Sequence, residues 1–431
     1  MRREPFIAAI RFGHGRRPWE PLPADPRAGL LAELENTATR RLTEAELPDL
    51  AAIGAMNRED SESMRQGQGR PHQARLMRAE ISAALAETLT SAAPFRERLV
   101  QFWANHFTVA RGKVPYFAGH FVREAIRPHV TGRFSDMLLA VVRHPAMIGY
   151  LDNQGSIGPS SRAAQARPRG LNENLAREIL ELHTLTPAAG YTQADVTSFA
   201  KILTGWSIAT VNPPFGFVFR AAAHEPGAQS LMGQEFPEGE QGGIATLAWL
   251  AEHEATQWHL ARKLAAHFVA DTPPPEAVAA LFAVLRDTRG DLGAVARRLV
   301  TLDATWKPPL TKLRAPMDYV LAVLRALEAP AQIAEGLINT SQFLGQPVWN
   351  ARAPNGWPDQ MADWAAPEAI VRRVEWAYGQ AGRGAGRDAT ALAEAVMGPL
   401  IQPQTLRAAS RAGSAREALT LVLTSPEFQR R

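Results

Sequence analysis

NENLAREILELHTLTPAAGYTQADVTSFAKILTGW, residues 172–206, holds two segments with helical spacing joined by a Gly190-Tyr191 turn. In the first, apolar Leu175, Ile179, Leu180 and Leu182 recur at three- and four-residue spacing, the signature of a helix with one buried face. Asn172 reads as its N-cap, with Glu173 and Glu178 toward the positive helix end. The second opens on Thr192 with Asp195 three residues on, which predicts a capping box with Asp195 as a structural cap. It stops at Gly205, a residue that tolerates the left-handed backbone of a helix end. Trp206 then packs against the preceding turn.

The same periodicity recurs along the chain. It predicts one or two helices over 27–56, with Thr43 and Glu46 spaced as a capping box. Further helices are expected at 73–90, 93–109, 117–127, 135–150, 245–270, 275–286, 291–301, 316–328, 366–381, 388–398 and 415–423. Strand signals are sparse. FGFVFRA (215–221) is aromatic and β-branched, and a short segment near 229–236 follows the Pro226-Gly227 pair, which predicts one isolated hairpin near 213–236. The fold class is therefore mainly α, with a small β-hairpin insertion. Loops are expected at 152–171, 207–245 and 345–365. The whole of 1–431 reads as one unit: N-terminal helices at 27–90, a central core at 93–206, the insertion at 207–245 and C-terminal helices at 246–431.

Composition narrows the function. At 431 residues, 46% hydrophobic and 21% charged, the chain has a globular balance and can bury a large core. Cysteine is absent, which excludes disulfides, thiolate metal sites and a thiol nucleophile. The net charge is +4 and the pI about 9.6. Only five basic residues are lysine, and no basic run appears, so nucleic-acid binding is not expected. No window approaches the run of about 20 apolar residues that spans a membrane; the longest, 137–151, is broken by Arg143, His144 and Pro145. No signal sequence is visible at the N-terminus, so the default compartment is cytoplasmic.

On a helical wheel of 100° per residue, Glu178 lies about 40° and Glu181 about 20° to either side of Asn174, with Arg177 near them. Two readings stand. Glu173, Arg177 and Glu181 can form a surface charge ladder. Alternatively Asn174, Glu178 and Glu181 face a cleft, where the carboxylates bind a divalent metal ion or act as acid and base. The Glu-x-x-His spacing of di-metal bundles is missing; His183 falls on the apolar face unless the helix ends first. A second polar group is Asn105-His106, on an apolar helix face with Phe102 and Trp103. His224-Glu225 sits in a loop after the expected strand, and His259 and His267 share a helix face at i, i+8. Nucleotide-binding loops, serine-hydrolase elbows and metalloprotease signatures are absent. The candidate catalytic residues are Glu178, Glu181 and His106. The candidate binding residues are Asn105, Asn174, Arg177, His183, Trp206 and His224.

Beyond 172–206, RFGHG (11–15), FWANHF (102–107), HPAMIGYLDN (144–153), His224-Glu225, Lys312-Leu-Arg-Ala-Pro316, LGQPV (344–348), Pro354-Asn-Gly-Trp357 and SPEFQRR (425–431) stand in fixed order. Together these stretches resemble the bacterial "domain of unknown function 1800" family along nearly the whole chain. The resemblance implies no settled activity. It implies gene neighbours of the "domain of unknown function 1501" family, which look like alkaline phosphatases and sulfatases, and twin-arginine export signals in many relatives. This chain lacks the usual leader and has Glu225 where relatives look to have Asp. Two functions follow as expectations. One is a polar Asn/Glu/His site that binds a divalent metal or hydrolyses a substrate. The other is a non-catalytic partner of a phosphatase- or sulfatase-like protein, with exposed tryptophans in 354–364 as anchors and periplasmic location by co-export.

Overall fold

A computed structural model describes residues 2–36, 42, 47–166, 170–209, 215–384 and 386–431. The expected Thr43–Glu46 capping box lies outside the described residues. Helices dominate. Among the described residues the only β structure beyond isolated bridges is two two-stranded antiparallel sheets. One hydrophobic cluster contains residues from Phe6 to Phe428, so sequence-distant helices share a core.

The helices form where apolar spacing and end signals agree. Pro94–His106 begins on proline, whose missing N–H costs nothing in a first turn. It buries Leu99, Phe102, Trp103 and His106 along one side. The expected 245–270 helix is two, Glu240–Glu252 and Glu254–Phe268, separated at His253, whose ring accepts the Ala255 N–H as a cap. The expected 135–150 helix is likewise two, Phe134–Arg143 and Pro145–Tyr150, with His144 as the cap between them. There Pro145 cannot continue the preceding helix.

Among the described residues three segments wind as π-helix: Ala8–Phe12, Phe121–Ile126 and Ile179–His183. The third interrupts the opening stretch, where Asn174–Glu178 is α-helical and the wider turn takes over at Ile179. Positions beyond 178 therefore cannot be read from an α wheel. The second helix of that stretch, Gln193–Ile202, has its full capping box: the Thr192 hydroxyl accepts the Asp195 N–H and Asp195 accepts the Thr192 N–H. Gly205 has φ +81°, and Trp206 is fully buried against Phe217.

The β prediction needs correction. FGFVF does not pair with 229–236. Gly216–Phe219 pairs back onto Trp206–Ala209, and Gln229–Leu231 pairs with Gln234–Phe236 as a second hairpin. The short partner WSIA carries too little alternation to read as a strand. No described helix is long and apolar enough to cross a membrane.

Candidate functional site

Helix Glu254–Phe268 carries His259, Lys263 and His267 at four-residue intervals, with Asp271 four residues further on. That spacing puts His259, Lys263 and His267 along one helix face, and Asp271 lies in the bend beyond the helix end. Lys263, His267 and Asp271 line a cavity of about 400 Å³ that also touches Asn105 and His106 of the Pro94–His106 helix. Phe102, Val109, Val348 and Trp349 supply apolar wall; Lys312, Asp318, Asp359 and Arg431 supply charge. Mixed apolar walls with a few convergent polar groups are the usual make-up of a small-molecule site, and the volume falls in the usual range.

Lys263 is the distinctive group. Its Nζ lies 2.9 Å from His106 Nδ1. His106 Nε2 lies 3.1 Å from the His183 carbonyl oxygen, which can only accept, so the His106 proton is on Nε2 and Nδ1 accepts from Lys263. Burial holds His106 well below its ordinary range, with Lys263 adding to the effect, so the ring is neutral. Burial also pushes Lys263 down, to about 8, against a smaller upward pull from Asp359. The other cations at the cavity wall have carboxylates within ion-pairing distance: Arg98 and Arg431 with Asp318, Lys312 with Asp271, Arg127 with Glu97. Among the described residues Lys263 has none.

A buried ion cluster frames the cavity. Asp318 is met by Arg98 at 2.7 Å, Arg431 at 3.0 Å, His14 Nδ1 at 3.2 Å and Arg314 at 3.4 Å. These arginines offset its burial and hold it well below the carboxylate range. Asp359 accepts from His267 Nδ1 at 3.0 Å and pairs with Arg431 at 3.2 Å; these partners and Lys312 outweigh its burial and depress it too. His267 is pushed by burial to about 4. Asn105 closes the rim: its Nδ2 donates to the Trp357 carbonyl at 2.8 Å and its Oδ1 accepts the Trp357 N–H at 2.7 Å. Gly356, at φ +78°, has no room for a side chain, since a Cβ would lie 2.3 Å from the Asn105 carbonyl oxygen.

The structure brings His106 and Asn105 to this cavity and leaves the other sequence candidates elsewhere. Glu178 and Glu181 are half-buried on a different face, near Tyr150 and Tyr191. Neither has a hydrogen-bond or ion-pair partner among the described residues. Burial and the neighbouring Glu181 raise Glu178. Asn174 is exposed, and its N–H is accepted by the Asn172 side chain. Arg177 pairs with Glu173 at 3.0 Å and reaches Gln193, tying the two helices of the opening stretch together. His183 turns away from both glutamates into the core against Phe107 and His106, and burial pushes it to about 3.

Trp206 is core, as above. His224 has both ring nitrogens engaged, Nδ1 donating to the Thr204 carbonyl and Nε2 accepting the Gly239 N–H, each at 2.8 Å. It staples two loops, and Glu225 beside it accepts the Ser160 N–H. Trp364 is buried and Trp357 half-buried against it, rather than exposed as anchors. Among the described residues no group of three or more His, Asp or Glu side chains is placed to hold a metal ion.

Sequence reading missed Lys263, Lys312, Asp318, Asp359 and Arg431. Lys263 left a signal: it is one of five lysines and lies midway between His259 and His267. The stretches RFGHG, FWANHF, KLRAP, PNGW and SPEFQRR, scattered from residue 11 to residue 431, all place a residue on this cavity or its ion cluster. No curated protein and no solved structure matches the chain. A family model described as "Protein of unknown function (DUF1800)" matches residues 7–430, and the chain belongs to that family.

Proposed function

We propose that the cavity beside Lys263 binds a small organic anion with an apolar portion, its carboxylate seated on the Lys263 ammonium. One observation carries this reading: a part-buried ammonium at a cavity wall whose one hydrogen-bond partner among the described residues is a neutral imidazole. A buried cation without a counter-ion is costly, and a bound anion removes the cost. At neutral pH a group titrating near 8 is about nine-tenths protonated. The apolar wall from Phe102 to Trp349 accepts the remainder of the ligand.

The polar-site idea thus moves from Glu178 and Glu181 to Lys263, keeping His106 as the residue that orients the amine and Asn105 as the rim clamp. The glutamate pair repels a second negative charge, so it does not compete for this ligand. The experiment is titration calorimetry with a series of monocarboxylates of growing apolar size, on the native protein and on Lys263→Met. Saturable binding that strengthens with apolar size and disappears in Lys263→Met supports the reading. Equal binding to both proteins sinks it. The reading as partner of a phosphatase- or sulfatase-like protein is separable: such a protein needs no ligand at Lys263, and Lys263→Met would still co-purify with its partner.

A further inference from the structure

From the same site we infer that Lys263 condenses reversibly with the carbonyl of a small α-keto acid, forming an imine in the cavity; this rests on the anion reading above and adds a covalent step to it. Three features meet at one nitrogen. The amine sits at the wall of a cavity with room for a ligand. Among the described residues it is the cavity cation without a carboxylate in ion-pairing distance, so no counter-ion holds it as an ammonium. Its acceptor, His106 Nδ1, is locked in orientation because Nε2–H is spent on the His183 carbonyl. Desolvation also leaves about a tenth of the amine neutral at neutral pH. Lys312 has none of this freedom: its Nζ donates to Asp271 at 2.5 Å and to the Asp359 carbonyl at 2.7 Å.

The neutral nitrogen attacks the keto carbon, and the C=O π electrons move to oxygen. A proton passes from nitrogen to that oxygen to give a carbinolamine. The proton that the ammonium gave up to become the neutral amine then returns to the hydroxyl, which leaves as water, so that ammonium and ketone together give iminium and water. No oxidant or reductant is consumed. An α-keto acid suits this nitrogen better than a plain ketone. Its carboxylate pairs with the ammonium before condensation and stays beside the cationic iminium afterwards, so the buried positive charge has a counter-ion in both states.

The test uses pyruvate, acetone and propionate, with borohydride trapping and peptide mapping of the full chain. Borohydride delivers hydride to the imine carbon and makes the adduct permanent. The expected result is a carboxyethyl group on Lys263 from pyruvate, several-fold above the isopropyl group from acetone, and none at position 263 in a folded Lys263→Arg variant. Adduct spread evenly over Lys113 and Lys307 overturns the inference. Equal trapping of acetone and pyruvate at Lys263 overturns the α-keto acid assignment and the anion reading with it. Calorimetric binding of propionate and pyruvate with no adduct at Lys263 overturns this inference alone and leaves the anion reading standing.

Discussion

Replacing Lys263 with methionine should make the unliganded protein more stable, or leave it unchanged, while removing ligand binding. The magnitude follows from the amine's environment. A lysine titrates at 10.5 when unfolded and at about 8 here. That difference corresponds to a penalty of about 3 kcal/mol for holding the ammonium in the folded state at neutral pH. Methionine fills similar space without the charge. Against this stands the lost hydrogen bond, which leaves His106 Nδ1 without a donor, worth about 1–3 kcal/mol. The net expectation is a gain between zero and about 2 kcal/mol near neutral pH. The pH dependence is more telling than the value. Between the folded and unfolded titration points the unfolded chain holds a proton that the folded one has released, so native stability rises with pH across that window. The variant has no such rise. Its advantage should shrink from about pH 8 upward, turn into a deficit before pH 10.5 and level off above it. Urea unfolding followed by circular dichroism over this range measures both proteins. A stability gap that stays flat with pH, or a variant less stable by more than about 2 kcal/mol at neutral pH, would refute the reasoning and make Lys263 a structural residue.

Acid should unfold the protein through its histidines. Burial holds His14 and His183 at about 3, His120, His259 and His267 at about 4, and His106 and His144 well below 6.5. Below the unfolded value of 6.5 each takes up a proton only on unfolding, so each removes about 1.4 kcal/mol per pH unit down to its folded value. Unfolding near pH 5 should absorb several protons, and a denaturation midpoint independent of pH from 7 to 5 would contradict it. Asp318→Asn should cost about 3–5 kcal/mol, because it strands Arg98, Arg314 and Arg431 around a neutral group; a midpoint within error of native in urea would show that the cluster is not buried as described. Glu178→Gln with Glu181→Gln should leave carboxylate affinity at the cavity unchanged and stability equal or higher, since two unpaired like charges are removed. Loss of that affinity in the folded double variant would return the functional site to the 172–183 helix.

Legibility followed the kind of interaction. Helices were readable because apolar spacing and caps are local: Asp195, Thr192 and the proline starts act within one turn. The break at His253 is not legible, because a histidine ring accepting an N–H two residues on has no common sequence signature, whereas Pro145 does mark the break at His144. Trp206–Ala209 was missed as a strand because its pairing partner lies across the residues between Ala209 and Gly216. At the site, Asn105 and His106 were legible as polar residues on an apolar face. Asp318, Asp359, Lys312 and Arg431 were not, since their meaning lies in contacts such as the Arg98–Asp318 pair, 220 residues apart. Glu178 and Glu181 drew attention by periodicity, which reports a shared face and says nothing about what that face meets.

The opening stretch still bears on the site, by a route that side chains do not reveal. The π-helical turn ends at His183 and leaves the carbonyls of Leu182 and His183 without partners in their own helix. Two imidazoles from other helices supply the donors: His259 Nε2 to Leu182 at 3.2 Å and His106 Nε2 to His183 at 3.1 Å. Those bonds place both protons on Nε2 and turn both Nδ1 lone pairs outward. One of these lone pairs holds Lys263. An α-helical register through Ile179–His183 would carry the two carbonyls to different positions and release the His106 tautomer, and with it the acceptor that orients the amine. The stretch around 172–183 therefore reaches the cavity through backbone geometry, by the His183 carbonyl that fixes the His106 tautomer.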